Sequence, residues 1–396
     1  MKYWRGYLVA GILAGITWAL KQLAERFSAL ADMVYPYVAR TMQSILAAWS
    51  SSADFCLWQM GLIALLVLVA ATIVLMIIFK WNPVQWLGWV LAGASGLMLA
   101  YTLVFGLNYY AGPIADDIRM EQRKYSVEDL TNAAIYYRAK ANELATQVQR
   151  DDSGSLVYDD FETLAGKAAN GFDSLVYDYS YSIFAGSTLP VKKLAWSSLY
   201  SSMGTTGVTM GLTGEAAVNP QIPAVNLPFA MCREMSRRMC IVNDRDANFG
   251  AFLACMANED VQFRYSGYFM AYRYCYNALV GANSTEASAA AARVASDVGT
   301  ELNLDLQEYN KFFAGKRSEK AAKLADKATE TYLTVLGSED SLASYERVCD
   351  LLVSWHYQEE ILPTLIEEEN RFDPFDETQV DLTGNIYARA VPQGGE

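Results

Sequence analysis

Three uncharged apolar runs lie in the first quarter of the chain, and amphipathic patterning takes over after them. The second run, residues 59–79 (QMGLIALLVLVAATIVLMIIF), rises 1.5 Å per residue as a helix and crosses a hydrocarbon core of ~30 Å. A short turn at Lys80–Pro83 leads into the third run, residues 86–105, so these two spans should form a helical hairpin. Gly88, Gly93 and Gly96 would let a neighbouring helix approach closely, and Trp81, Trp86 and Trp89 suit a membrane–water interface. The first run, residues 6–20, reads as a membrane anchor. It follows Lys2 and Arg5, as a signal peptide would, but residues 21–27 offer no small-residue cleavage site and SALA at 28–31 lies too far along. Between the first and second runs, residues 21–54 place Leu23, Phe27, Leu30, Val34, Val38, Met42 and Ile45 at helical spacing. That pattern predicts an amphipathic pair lying on the membrane or on the domain beyond it.

Past Phe105 the chain reads as a mainly α, water-exposed domain over residues 106–357. Ser126 and Asp129 are spaced as a capping pair for a helix, DDSGS at 151–155 is a loop, and residues 159–185 carry a Tyr- and Phe-rich helix. Residues 203–225, rich in Gly, Thr and Val with two prolines, predict a β-hairpin. Helical periodicity returns over 247–256, 265–280, the Ala-rich run from Ser284, 316–335 and 344–357. The aromatic series Phe263, Tyr265, Tyr268, Phe269, Tyr272, Tyr274 and Tyr276 is read as core. Residues 358–396 form an acidic, partly extended tail. The chain thus divides into a membrane part (1–105), a helical domain with a small β-hairpin or sheet (106–357) and a tail.

Charge and composition then narrow the chemistry. A net charge of −13 argues against nucleic acid as a partner. Lys2, Arg5 and Lys80 on one side of the membrane nearly balance Lys21, Arg26 and Arg40 on the other; placing the N-terminus inside puts the domain outside. The only histidine is His356, which excludes any two-histidine metal site. It is read as a helix residue satisfied by a neighbour rather than as a catalyst. None of the six cysteines forms a CxxC pair; they read as buried thiols, with a disulfide among Cys232, Cys255, Cys275 and Cys349 open in an oxidising compartment.

The most informative stretch is Asn226–Phe249, NLPFAMCREMSRRMCIVNDRDANF. Asn226 is placed as an N-cap and Pro228 in the first turn, so Arg233 and Arg237 share a helix face with Glu234 beside them. The spacing is that of an HExxH zinc helix with arginines at both ligand positions. Arginine stays protonated and offers a metal no lone pair.

Together with GLNYYAGP (106–113), YSVEDL (125–130), MGTTG…TGEAAVN (203–219), PFAMCREM (228–235), DANFGAFLAC (246–255) and SYERVCDLL (344–352), this stretch resembles a bacterial family of unknown function. That family joins three transmembrane helices to a zincin-like HExxH domain. The resemblance implies a zincin-like fold and a multi-pass bacterial membrane protein with its domain extracytoplasmic. It puts the ligand histidines at Arg233 and Arg237, the catalytic glutamate at Glu234 and the third ligand at Asp246, and therefore implies that the zinc is lost. In zincin-type proteases an extended peptide pairs with the strand before the active-site helix, here the 203–219 hairpin.

Several readings of the site follow. The two guanidinium groups fill the space of the metal and pair with Glu234 and Asp246, or they point into an open cleft, or they bind a peptide carboxylate. Arg238 is read as a surface charge, though it could edge the cleft. Glu215 faces the cleft or caps a turn. A calcium or magnesium site built from Glu234, Asp246 and Glu215 is disfavoured by the neighbouring arginines. The functional expectation is a membrane-anchored pseudoprotease that binds a peptide or protein at the former active-site cleft. The alternatives are an active peptidase with a rearranged site and a purely structural membrane subunit.

Overall fold

A computed structural model describes residues 4–336 and 348–361 of the chain. It opens with α1 (Arg5–Arg26), α2 (Ser28–Ser50), α3 (Leu57–Ile78) and α4 (Pro83–Val104), of which α1, α3 and α4 are long and apolar enough to cross a membrane. The Asn82 side chain caps α4 by accepting the Val84 and Gln85 N–H groups, with Pro83 in the first turn where a missing donor costs nothing.

The tightest helix pair differs from the expected one. α4 packs on α1, in parallel, with Gly6 against Gly88 and Leu13 near Gly96. A Cβ on Gly6 would lie 2.5 Å from the Gly88 carbonyl carbon, so only glycine permits this approach. α3 leaves its apolar stretch uncovered. Its one glycine, Gly61, has open space beside it, so no small-residue notch draws α4 onto α3 as Gly6 does onto α1. The parallel arrangement puts the start of α1 and the turn at 80–82 at one end, and α2 with the globular domain at the other.

The expected amphipathic pair at 21–54 is instead the end of α1, a break at Phe27 and one helix, α2. The last carbonyls of α4 would be orphaned, and α2 satisfies them: Tyr35 OH donates to Thr102 and Leu103 oxygens at 3.1 and 2.9 Å, and Gln43 Nε2 to Val104 O at 3.2 Å. Gln43 also donates to Gly211 O at 2.8 Å, and Arg40 Nη1 to Ser182 and Ile183 oxygens. α2 therefore bolts the membrane helices to the domain.

The domain continues with α5 (Ile114–Asp117), α6 (Val127–Ala145), α7 (Phe161–Tyr177), β1 (Lys192–Lys193), α8 (Ser197–Met203), β2 (Gly207–Met210) and β3 (Glu215–Val218). Then come α9 (Leu227–Arg238), α10 (Asp244–Met256), α11 (Val261–Gly281), α12 (Thr285–Ser296), α13 (Thr300–Lys316), α14 (Glu319–Leu336) and α15 (Val348–His356). The Ser126–Asp129 capping box forms, with the Asp129 N–H donating to Ser126 Oγ and the Ser126 N–H to Asp129 Oδ2. The Ala-rich run from Ser284 is two helices, because Asp297–Gly299 interrupts it. The 203–219 hairpin is present as β2 and β3, antiparallel, and β1 adds a parallel strand on the far side of β3.

The core lies where α9, α10 and α11 pack with α6, α7 and α15. Tyr137, Phe249, Phe252, Phe263, Tyr265 and Phe269 are buried there; Tyr137 meets Phe252 and Tyr265 meets Phe269 edge-on, while Phe249 stacks on Phe252. All six cysteines are buried free thiols. Residues 357–361 wind on past α15 as a π-helical turn. The remainder of the expected tail, 362–396, and the start of the helix expected from 344 lie outside the described residues.

Candidate functional site

α9 grows out of a 3-10 turn at Ala224–Asn226, so Asn226 has helical backbone angles and gives no side-chain cap; Pro228 does sit in the first turn. The helix ends at Arg238, and Cys240 turns the chain with a left-handed φ of 72° before α10 starts at Asp244. The two helices then lie against one another, with the RExxR face of α9 toward β2.

Glu234 is fully buried at the centre of this face. Its Oε1 accepts from Arg233 Nε at 3.0 Å and Nη2 at 2.7 Å, and its Oε2 from Thr209 Oγ1 at 2.8 Å. Arg237 Nη1 lies 3.7 Å from Oε2, and Arg233 Nη2 also donates to Thr206 Oγ1 at 2.8 Å. Burial alone would raise the Glu234 carboxyl pKa, but Arg237, Arg233 and the hydrogen bonds from Arg233 and Thr209 outweigh it and hold the group below the ordinary value. β2 crosses directly over the carboxylate: a Cβ on Gly207 would sit 2.6 Å from Glu234 Cγ.

Asp246 does not join this cluster. Arg237 pairs instead with Asp244, at the first turn of α10. Asp246, two residues on, accepts from the Ile114 N–H at 3.1 Å and from Arg245 Nε at 3.0 Å. Burial raises its pKa, with Arg245 opposing the shift. The pairing of both arginines with Glu234 and Asp246 is therefore half right: the second acid is Asp244.

Two more expectations are corrected. Arg238 is no surface charge: it is 2% exposed and donates to the carbonyls of Ser187 and Leu189. Burial lowers its pKa to about 10. Glu215 does not face the Glu234 cleft. Its Oε1 and Oε2 accept the N–H groups of Leu57 and Trp58 at 2.8 and 2.9 Å, and Lys192 Nζ lies 2.8 Å from Oε1. A strand residue of the domain thus caps a membrane-spanning helix, and Lys192 reaches on to the carbonyls of Ser50 and Phe55. His356 packs against Tyr136 with the rings tilted and their centroids 4.8 Å apart, and burial lowers its pKa.

Sequence reasoning missed Thr206, Thr209, Asp244 and Lys192. Thr209 carried a faint signal as a polar residue between Val208 and Met210 in the hairpin; Lys192 sits in a strand too short for any periodicity.

The family model described as Protein of unknown function (DUF3810) matches residues 31–353, from α2 into α15. The chain belongs to the DUF3810 family. No curated protein and no solved structure matches it. The match includes α2, α3, α4 and the RExxR helix, so the Glu215 cap and the Glu234 cluster both fall inside the family's span.

Proposed function

We propose that this DUF3810 protein is a membrane-anchored, non-catalytic relative of zincin-type metalloproteases, with its domain on the extracytoplasmic face of a bacterial membrane. The domain holds an extended peptide or protein segment beside β2. One observation carries the reading: both oxygens of Glu234 accept hydrogen bonds inside a buried cluster, Oε1 from Arg233 and Oε2 from Thr209, with the Arg237 guanidinium 3.7 Å away, so the carboxylate is held as a counter-ion and is a poor base for activating water. Zinc does not fit these residues. The two positions that would ligate it are guanidinium groups, and Asp246 is turned to Ile114 and Arg245.

Support for the binding surface comes from the sheet. β2 is an edge strand, and the bond from Asn219 N–H to Thr206 O fixes the ladder so that Gly207 and Thr209 point their backbone groups away from β3. Among the described residues no strand pairs with that edge. An added strand is the simplest occupant of such an edge.

The test uses the full chain in lipid nanodiscs. Elemental analysis should find no stoichiometric zinc, and one zinc per chain would overturn the non-catalytic reading. Peptides selected from an extended-peptide library should slow amide exchange over residues 207–210. Selected peptides that bind and leave those amides unchanged would overturn the β2 surface.

A further inference from the structure

A second feature lies apart from Glu234, where α2, the segment after α4, the 239–243 connection and the first turn of α10 meet. A cavity of about 210 Å³ is lined there by Asp32, Tyr37, Arg40, Asn108, Asp117 and Asp246, among others. It is lined by Asn108 and Ala111, within a few residues of the end of α4 on the domain side.

Its polar lining is unbalanced in one direction. Three carboxylates line it against one cation, Arg40, whose guanidinium is already occupied by the carbonyls of Pro36, Ser182 and Ile183. Asp32 and Asp246 accept backbone N–H groups of Gly112 and Ile114, which pins them to either end of the same short segment; Asp246 also accepts from Arg245 Nε, which offsets its charge and leaves Asp32 and Asp117 as the carboxylates without a basic side-chain partner among the described residues. No donor reaches Asp117 among the described residues. Asn108 lines the same cavity, is 2% exposed, and its Oδ1 has no donor; Asn243 Oδ1, also in the lining, has none. Buried acceptors without donors are costly, and the two asparagine oxygens border one space that the more exposed Asp32 and Asp117 also line. A ligand that matches this lining must bring positive charge and several N–H groups.

The carboxylates are too dispersed for a metal: among the described residues no three acidic, cysteine or histidine side chains converge to hold one. We propose that the cavity binds a primary ammonium group, carried by an ethanolamine phospholipid headgroup or by a small soluble amine, with Asp117 as its main charge partner and Asn108 as an acceptor. Three N–H donors on one charged centre suit dispersed oxygen acceptors. Asp117 already carries a raised pKa of about 6, chiefly from burial and then from Asp32, with Arg40 opposing, and a bound cation would relieve that crowding.

The experiment uses the full chain, purified in detergent for soluble amines and in nanodiscs for lipids. Ethanolamine and putrescine are titrated by calorimetry, with tetramethylammonium, which has no N–H, as control. Native mass spectrometry compares retention of phosphatidylethanolamine with that of phosphatidylcholine. A primary amine should bind at least about tenfold more tightly than tetramethylammonium, or phosphatidylethanolamine should be retained over phosphatidylcholine. The first result assigns a soluble amine, the second a lipid. Asp117→Asn should weaken whichever is bound by about tenfold or more while leaving the ligand-free melting temperature no lower, since Asp117 holds no structural partner. The proposal is overturned if neither source binds, if tetramethylammonium or phosphatidylcholine does as well, or if Asp117→Asn binds as the parent does.

Discussion

Glu234 and Glu215 are both almost fully buried, both paired with a basic side chain, and separated by one hairpin strand and one helix of sequence, yet they do opposite things. Arg233 and Arg237 of its own helix and Thr209 of β2 hold Glu234, so its charge is settled inside the domain. Glu215 gathers partners from α3 and β1, and its lysine binds the 50–55 connection as well. One closes a site; the other joins two parts of the molecule. Side-chain type and burial are the same in each case, so the difference lies in what the backbone brings near.

The largest effect should follow from breaking the second of these. Glu215→Ala leaves Lys192 charged without its carboxylate and two N–H groups at the start of α3 without acceptors, and should cost about 3–5 kcal/mol. Thermal unfolding in detergent reads the loss, and limited proteolysis should open the 50–57 connection first. The pair Glu215→Leu with Lys192→Met should recover part of the loss, because no lone buried charge remains. A Glu215→Ala protein that melts with the parent would show that the cap does not couple domain to membrane.

Glu234→Gln comes next, at about 3 kcal/mol, since the amide can still accept from Thr209 but no longer neutralises Arg233. Its pH dependence separates it from a general packing defect. The folded carboxyl titrates below its ordinary value, so its ionisation stabilises the fold above the unfolded value of 4.5, and that stability is lost as pH falls through the lower folded value. The parent should therefore lose more stability than Glu234→Gln between pH 5 and more acidic conditions; equal losses would rule out the charge cluster as the source.

How much of this was legible in the sequence follows the same division. The apolar runs gave the three long helices because a continuous uncharged stretch reads without tertiary context, and the RExxR spacing put Arg233, Glu234 and Arg237 together because i, i+1 and i+4 on a helix are local facts. The α1–α4 pairing was not legible: the glycines of α4 were visible, but which helix would meet them depends on a glycine facing back, Gly6, near the N-terminus. The Glu215 cap was equally hidden, since it is a contact across 158 positions between a strand and a helix N-terminus. Asp244 was passed over for Asp246 because a family correspondence pointed to the latter, whereas the turn at Cys240 decides which acid of α10 faces Arg237.

The smallest effect should come from Arg237, and it bears most directly on how the Glu234 site is closed. Its side chain is 21% exposed, and its contact with Glu234 is 3.7 Å, beyond hydrogen-bond length. Arg237→Gln should therefore cost about 1 kcal/mol or less, in the range of a partly solvated pair. The cost should also be divided unequally between its two acids. Arg237 lies in the last turn of α9 and Asp244 in the first turn of α10, so each complements its own helix dipole while they pair across the 239–243 connection. Double-mutant cycles of melting stability should give Arg237 a stronger coupling to Asp244 than to Glu234. The reverse order would mean that Arg237 acts mainly as a second counter-ion for the buried glutamate, and that replacing Arg233 alone would leave Glu234 still neutralised.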